Sequence, residues 1–289
     1  MKKLFTLLLV ALTVFAISGC DDDDDKVISY YYLDVEPTAP QGVTSITGDN
    51  SVTVVWDGLY DVDVYEYVVY RSDEPIENYS PIGYVDPYPR PSNNVYSFTD
   101  NTADNGYTFY YAVAAVDSAG QSSELSWENV FDTPRPDGEV VLYANAVAPN
   151  LSGFEFVTHE RVPDTSYYAD VYVDSIGGVF YLNAGNLDYI YGWIQDVGSA
   201  YYFNNFIGYA PTDGWSDLGY VELIEGHSYV VYTYDYHYAL MTVVSINASG
   251  SVTFEWAYQT QEDNPELSPG PDDGNSRIAR ASKKAVSFD

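Results

Sequence analysis

Few residues in this 289-residue chain are suited to chemistry. It has one cysteine, Cys20, three histidines, His159, His227 and His237, and 43 Asp and Glu. A lone thiol is a candidate redox centre or metal ligand, and it excludes an intrachain disulfide. A hairpin turn at Tyr234-Asp235-Tyr236-His237 would put His227 and His237 at opposite ends of one strand. At ~3.3 Å per residue they would be about 25 Å apart, too far to share one metal or clamp one haem. His159 falls in an expected loop and is free to approach either. Asp235 and His237, at i and i+2, face one side in extended chain and form half of a metal site; the same residues also make an ordinary turn. "DGLYDVD" (57–63) and "DNTADNG" (100–106) carry closely spaced oxygens suited to calcium. They are equally turn formers between strands, and the second lacks the bidentate acid of a calcium-binding loop. Carboxylates are too numerous to single out an acid–base pair. The chain has no Gly-x-Ser-x-Gly elbow, His-Glu-x-x-His pair, phosphate-cradling glycine loop or cysteine nucleophile context. No catalytic residue, metal site or resident cofactor is expected, and the chain reads as a non-enzyme.

The stronger signal is aromatic, with 31 Tyr, 12 Phe and 5 Trp. Tyr189, Tyr191 and Trp193 alternate along one expected strand. Tyr201, Tyr202, Phe203 and Phe206 follow, and Trp215 lies in a loop rich in Gly and Asp. Flat rings beside carboxylates and amides suit a sugar, whose apolar face stacks on the ring while its hydroxyls bond the polar groups. Tyr189, Tyr191, Trp193, Trp215 and His237 are therefore the candidate ligand platform. The alternative is strand packing, since Tyr is a good strand former.

The elements that must position these residues are strands throughout. In residues 37–135, "SVTVVWDG", "VYEYVVYRS", "NVYSFTD", "YTFYYAVAAVD" and "LSWENVF" show period-two alternation separated by Gly, Pro, Asp and Asn, the pattern of a β-sandwich. "TPRPDG" (133–138) is a linker. Residues 139–260 hold a second antiparallel domain, with strands expected in "EVVLYANA", "GFEFVT", "ADVYVDSI", "VFYLNA", "YIYGWIQDV", "YVELI", "SYVVYTY", "YALMTVVSI" and "SVTFEWAYQ". The last three form a meander through turns at 234–237 and 247–250. The fold class is all-β: a sandwich followed by a second antiparallel β-rich domain.

Residues 261–289, dominated by Pro, Gly, Asp and Ser, read as a disordered tail. It ends in a small basic group, Arg277, Arg280, Lys283 and Lys284. At the other end, Lys2 and Lys3 precede an apolar run from Leu4 to about Ile17 and small residues Ser18 and Gly19, the three-part pattern of a signal peptide over residues 1–19. The alternative, a retained spanning helix, needs about 20 apolar residues. Residues 20–36, with Asp21 to Asp25, form an acidic tether that cannot pack. From Cys20 onward the chain carries nine Lys and Arg against 43 Asp and Glu, a formal charge of −34. Such a chain repels nucleic acid and anionic lipid, so nucleic acid is not an expected partner.

Three resemblances add to this. Ile17-Ser18-Gly19-Cys20, at the end of the apolar run, resembles the lipobox of bacterial lipoproteins. The resemblance implies that Cys20 is lipidated and becomes the first residue, with the chain exported and anchored in the cell envelope. In that family an acidic run after the cysteine resembles either an inner-membrane retention signal or a surface-export signal, and outer membrane or surface is the expectation here. Pro37 to Pro40, Trp56, "DVDVYEYVVYRS" and "DNGYTFYYAVAAVDSAGQSSELS" (104–126) resemble a bacterial fibronectin type III domain. One departure is Phe109, which stands where that family has its corner tyrosine; Tyr107, Tyr110 and Tyr111 are neighbouring substitutes. Finally, "FEFVTHERVPDTSYYADVYVD…LNAGN" and "GHSYVVYTYDYHYALMTVVSI…GSVTFEWAYQ" are similar in pattern to HmuY-type haem-binding lipoproteins, which implies haem as an alternative ligand. The expected function is a lipid-anchored, non-catalytic binding or adhesion protein. The first domain would act as spacer and the second as binding module for carbohydrate, haem or another surface protein.

Overall fold

In the computed structural model, described for residues 35–60, 63–128, 130–185, 193–199 and 209–267, the chain is built from strands. Cys20, the acidic tether, Tyr189 and Tyr191 lie outside the described residues. Among the described residues no helix is long and apolar enough to cross a membrane.

The first sandwich contains β1 (Gln41–Gly48), β2 (Ser51–Asp57), β3 (Val64–Ser72), β4 (Ser80–Val85), β5 (Val95–Asp100), β6 (Phe109–Asp117) and β7 (Val130–Asp132). They form a three-stranded sheet, β1-β2-β5, and a four-stranded sheet, β4-β3-β6-β7. Period-two alternation decides which side chains meet between them. Val52, Val54 and Trp56 of β2 face Tyr67 and Val69 of β3 and Tyr111, Val113 and Ala115 of β6, all buried. Each valine among them, taken from water, stabilises by about 1.5–3 kcal/mol. Trp56, Tyr67 and Tyr96 form the centre, with ring centroids 5.0–6.2 Å apart. Gly83 makes room for this packing, since a Cβ there would lie 2.0 Å from the Phe98 ring.

Phe109 leaves the corner hydroxyl to a neighbour. Tyr111, two residues on, is fully buried and donates to Asp100 Oδ2 at 3.1 Å. Asp100 also accepts from Thr102 and, at 2.7 Å, from Arg71. Burial works against its charge, but the bonds from Thr102 and Arg71 hold its carboxyl below the usual range. Arg71 in turn lies over the Phe109 ring, 4.6 Å from its centroid. "LSWENVF" is not one continuous strand. Val113 N–H and Ala115 N–H donate to the Ser126 and Ser123 hydroxyls, so serine side chains stand in for part of the ladder before β7 begins.

The second sandwich contains β8 (Asp137–Tyr143), β9 (Gly153–Glu155), β10 (Glu160–Val162), β11 (Val171–Ile176), β12 (Val179–Ala184), β13 (Trp193–Ser199), β14 (Tyr220–Glu222), β15 (His227–Tyr232), β16 (Tyr238–Asn247) and β17 (Ser251–Tyr258). Two five-stranded sheets, β10-β9-β11-β12-β14 and β13-β15-β16-β17-β8, enclose a core of Leu142, Phe154, Phe156, Val173, Leu182, Ile194, Tyr229, Met241 and Phe254 among others. The β15-β16-β17 meander forms as its turns indicate. Tyr236 (φ 68°) and Gly250 (φ 94°) supply the left-handed residues, and Tyr236 N–H and Gly250 N–H close the turns onto Thr233 O and Asn247 O.

The two sandwiches belong to one compact unit, and residues 133–136 of the "TPRPDG" linker are buried. Arg135 N–H donates to Gly48 O of β1, and Tyr258 N–H of β17 donates to Pro136 O. Residues 261–267, read from sequence as the start of the tail, fold back onto this linker. Thr133 Oγ1 donates to Glu266 Oε2 at 2.7 Å, Arg135 Nη2 to Leu267 O, and Gln259 Nε2 to Glu266 O at 3.1 Å. Asp132 accepts from Thr47 at 2.8 Å. Asp132, Arg135 and Glu266 are thus buried together.

Burial pushes the Glu266 carboxyl up to about 7, with the Asp132 charge adding to the shift. A carboxyl raised on folding costs stability once its unfolded form ionises, near 4.5, and the cost grows until pH passes about 7. Glu266→Gln is therefore expected to flatten the loss of stability between about pH 4.5 and 7. It should also raise Tm at pH 8, by about 2–4 °C per kcal/mol relieved, as read by calorimetry. Tyr111→Phe is expected to cost about 1.5–3 kcal/mol in urea unfolding, the worth of a bond to a charged partner.

Candidate functional site

The outer face of the β13-β15-β16-β17-β8 sheet carries a row of aromatic rings, and the strand register builds it. On β13, Ile194 points into the core, so Trp193 points out. Trp193 pairs with Tyr232 on β15, and Tyr232 pairs with Tyr238 on β16. Ring centroids are 5.9 Å apart for Trp193 and Tyr232 and 4.6 Å for Tyr232 and Tyr238. Trp215 arrives from the loop before β14 and lies 5.6 Å from Trp193. Ser216 N–H donates to Ile194 O at 2.9 Å and fixes that loop against β13. Gly214 (φ 84°) permits the approach, since a Cβ there would meet Gln195 Nε2 at 2.7 Å. Tyr236, at the β15–β16 turn, lies 6.3 Å from Tyr232.

The row is open on one side. Trp193 is 46% exposed and Tyr236 51%. Beside the row, part of the β13-β15-β16 face is covered where Ala210 and Leu267 cluster with Val230, and Val197, Trp215, Tyr238 and Leu240 pack against them. Its cover is the returning 261–267 segment together with the chain near Tyr209, joined by the bond from Ala210 N–H to Pro265 O at 2.7 Å. The same segment puts an exposed carboxylate, Asp263, beside the row. Asp263 accepts from the Tyr232 hydroxyl at 2.6 Å. Burial, and then this bond, hold the Tyr232 phenol above its usual range, so it stays a donor. Flat rings with one carboxylate at their edge can stack on the face of a ring ligand and bond its hydroxyls.

Of the five platform residues read from sequence, Trp193 and Trp215 are brought together in this row. His237 is placed elsewhere. It starts from the hairpin turn, its ring lies 5.4 Å from that of Tyr258, and its Nδ1 is 3.0 Å from Gln259 O, the geometry of an N–H donating to a carbonyl. Tyr232, Tyr236, Tyr238 and Asp263 were not singled out from sequence. The cross-strand register that joins them to Trp193 is their signal, and alternation within one strand does not carry it.

The histidines occupy two places. His159 (φ 57°) packs on Trp256, 4.7 Å between centroids, so His159 and His237 both lie against same-face residues of β17. His227 sits at the far end of β15, with Nδ1 3.0 Å from Asp196 Oδ2. Asp235, the other half of the metal half-site, accepts from Thr233 Oγ1 at 2.5 Å and serves the turn. Near this end Asp170 is buried and accepts from Phe156 N–H at 2.8 Å. Burial pushes its carboxyl up to about 7, with the Asp235 and Glu155 charges adding. Among the described residues no three His, Cys, Asp or Glu form a group able to hold a metal ion.

No protein-family model matches the chain. Over 111 residues it is 33% identical to an amylopullulanase of Thermoanaerobacterium thermosulfurigenes, a match that covers 37% of this chain and 6% of that protein. Similar solved structures include an Fn3-like protein from Clostridium thermocellum, with 22% identity over 36% of this chain and all of that one, at a TM-score of 0.27. A β-1,2-glucanase from Parabacteroides distasonis shares 28% identity over 35% of this chain and 13% of that one, at a TM-score of 0.28. The FN1–FN3 domains of chicken CNTN1 share 15% identity over 75% of this chain and 64% of that one, at 0.31. With three strands, β1-β2-β5, against four, β4-β3-β6-β7, the first sandwich has the fibronectin type III arrangement.

Asp170→Asn retains an acceptor for Phe156 N–H and removes a buried ionisation. It is expected to be more stable than the parent at pH 8 and to lose that advantage below about pH 4, where both forms are neutral. Thermal unfolding at the two pH values checks this.

Proposed function

We propose that the chain is a lipid-anchored cell-envelope protein with a non-catalytic binding role, and that its ligand is carbohydrate. The observation that carries this reading is the open row of Trp193, Trp215, Tyr232 and Tyr236 with Asp263 at its edge. An exposed run of rings on a rigid sheet is costly in water unless something stacks on it. The similarity to an amylopullulanase, a name that points to polysaccharide, supports the same ligand class. The first sandwich spaces the row from the anchor. Its buried linker supports that role, because a spacer joined rigidly presents its partner in one orientation.

The haem reading receives no such support. His227 is engaged with Asp196, and His237 presents its Nδ1 to Gln259 O.

The anchor reading rests on Ile17-Ser18-Gly19-Cys20. Intact mass of the protein extracted from its native membrane is expected to show a chain starting at an acylated Cys20; an unmodified Cys20 still joined to Gly19 would overturn it. The ligand reading is tested by affinity electrophoresis against soluble polysaccharides, pullulan first, and by calorimetric titration. The parent protein is expected to be retarded by at least one glycan. Trp193→Ala and Trp215→Ala are expected to bind about fivefold more weakly, each losing about 1 kcal/mol of stacking. Trp193→Ala should keep the parental Tm because its ring is exposed. Binding unchanged in both variants would sink the reading.

A further inference from the structure

A second aromatic patch begins where the row reaches the β15–β16 turn. Tyr234 and Tyr236 both sit in that turn, two residues apart, so their Cα atoms are at most about 7 Å from one another. Tyr236 belongs to the row through Tyr232. Tyr234 belongs to the second patch. Its ring lies 5.9 Å from that of Tyr167, and Tyr167 lies 5.5 Å from Tyr168 with the two rings at 85°. Tyr167 and Tyr168 are 64% and 56% exposed, more open than any ring of the row itself. They come from the loop between β10 and β11, strands of the other sheet, so the patch joins the two sheets at this end of the sandwich.

The loop that carries them is tied down. Ser166 N–H donates to Pro163 O at 2.9 Å, and Tyr168 N–H donates to Ser166 Oγ at 3.2 Å. At the end of the loop Asp170 N–H donates to Phe154 O at 2.9 Å, while the buried Asp170 carboxyl accepts from Phe156 N–H. Tyrosine has few side-chain torsions to freeze, so rings on a fixed backbone lose little freedom when something stacks on them. Polar groups stand beside these rings as they do beside the row. Burial, and then the neighbouring Asp235, Asp170, Tyr167 and Glu155, hold the Tyr234 phenol above its ordinary range, which keeps its hydroxyl a donor among acceptors.

The extent of the rings bears on the ligand. Neighbouring rings within each patch are no more than 6.3 Å apart, from Trp215 through Trp193 and Tyr232 to Tyr236, and from Tyr234 through Tyr167 to Tyr168. A single sugar fits within the row and leaves Tyr167 and Tyr168 unused. Only a chain of sugars is long enough to use both patches.

We propose that Tyr234, Tyr167 and Tyr168 form a second subsite, and that the ligand is an extended glycan chain running from the row across the β15–β16 turn onto them. This rests on the carbohydrate reading of the row. A chain held at the row has a raised effective concentration at the tyrosines. Affinity therefore grows with chain length until both patches are covered.

Calorimetric titration of the full-length protein tests this with pullulan, xylan and laminarin, each as polymer and as trisaccharide at equal sugar mass. The parent is expected to bind at least one polymer about tenfold more tightly than its trisaccharide. Tyr167→Ala/Tyr168→Ala is expected to weaken polymer binding about tenfold and to leave the trisaccharide unchanged. Both rings are exposed, so the parental Tm is expected to persist. Tyr168→Ala, which keeps the contact between Tyr167 and Tyr234, is expected to weaken polymer binding about threefold by itself. Equal affinity of the parent for polymer and trisaccharide, or unaltered polymer affinity in both variants, would overturn the second subsite and leave the row as a site. Trp193→Ala is expected to weaken polymer and trisaccharide alike. A parent that binds none of the polymers overturns the carbohydrate reading and this subsite together.

Discussion

Arg135 is removed from water between two sandwiches, and much of the molecule's arrangement follows from that single burial. An unpaired charge in a low-dielectric setting costs several kcal/mol; Arg135 Nη2 donates to Leu267 O, Nε and Nη1 are left without a hydrogen-bond partner, and the Asp132 and Glu266 charges nearby offset part of the cost. Asp132 comes from the end of β7, and Glu266 and Leu267 come from the far end of the described chain. The two segments, 132–135 and 266–267, are more than 130 residues apart in sequence yet are held at one point. That point converts a Pro/Gly linker into a rigid joint. The joint is not optimised for stability, since the Asp132 and Glu266 carboxyls buried near Arg135 are both pushed up by burial and each keeps an oxygen without a hydrogen-bond partner. It specifies which segment returns and where.

The aromatic row depends on the same return. The segment held by Thr133 and Arg135 also covers the lower part of the β13-β15-β16 face, through Leu267 and Ala210, and leaves Trp193 and Tyr236 open. It places Asp263 on the Tyr232 hydroxyl. A sheet face that was aromatic and uncovered throughout would be an aggregation hazard. Here the apolar area is reduced to a strip with a carboxylate at its edge, a size and polarity suited to a sugar ring.

Much of the fold was legible residue by residue. Val52, Val54 and Trp56 alternate, and all three are buried. The turn at 247–250 carries Gly250, which adopts a left-handed backbone freely, whereas the turn at 234–237 puts Tyr236 there; the β15-β16-β17 meander forms around both. Reading failed where contacts are distant. The sequence leaves open which of Tyr107, Tyr110 and Tyr111 replaces the hydroxyl missing at Phe109, and Tyr111 is selected by its bond to Asp100. β8 joins the sheet beside β17, more than a hundred residues away, and no local pattern announces that pairing. Half of the aromatic row was readable for the same reason: Trp193 and Trp215 stand out as tryptophans, whereas Tyr232 and Tyr238 enter through register.

The amino-acid sequence alone determined that this is an all-β, strongly acidic chain with period-two strands, because alternation, turn residues and charge are properties of neighbouring residues. It also carries the Ile17-Ser18-Gly19-Cys20 motif on which the anchor reading rests. Tertiary structure decided which rings share a face, that the linker is buried, and that residues 261–267 belong to the folded unit. Those outcomes depend on strand register and on where a buried charge finds its acceptors, and both are settled between residues far apart along the chain.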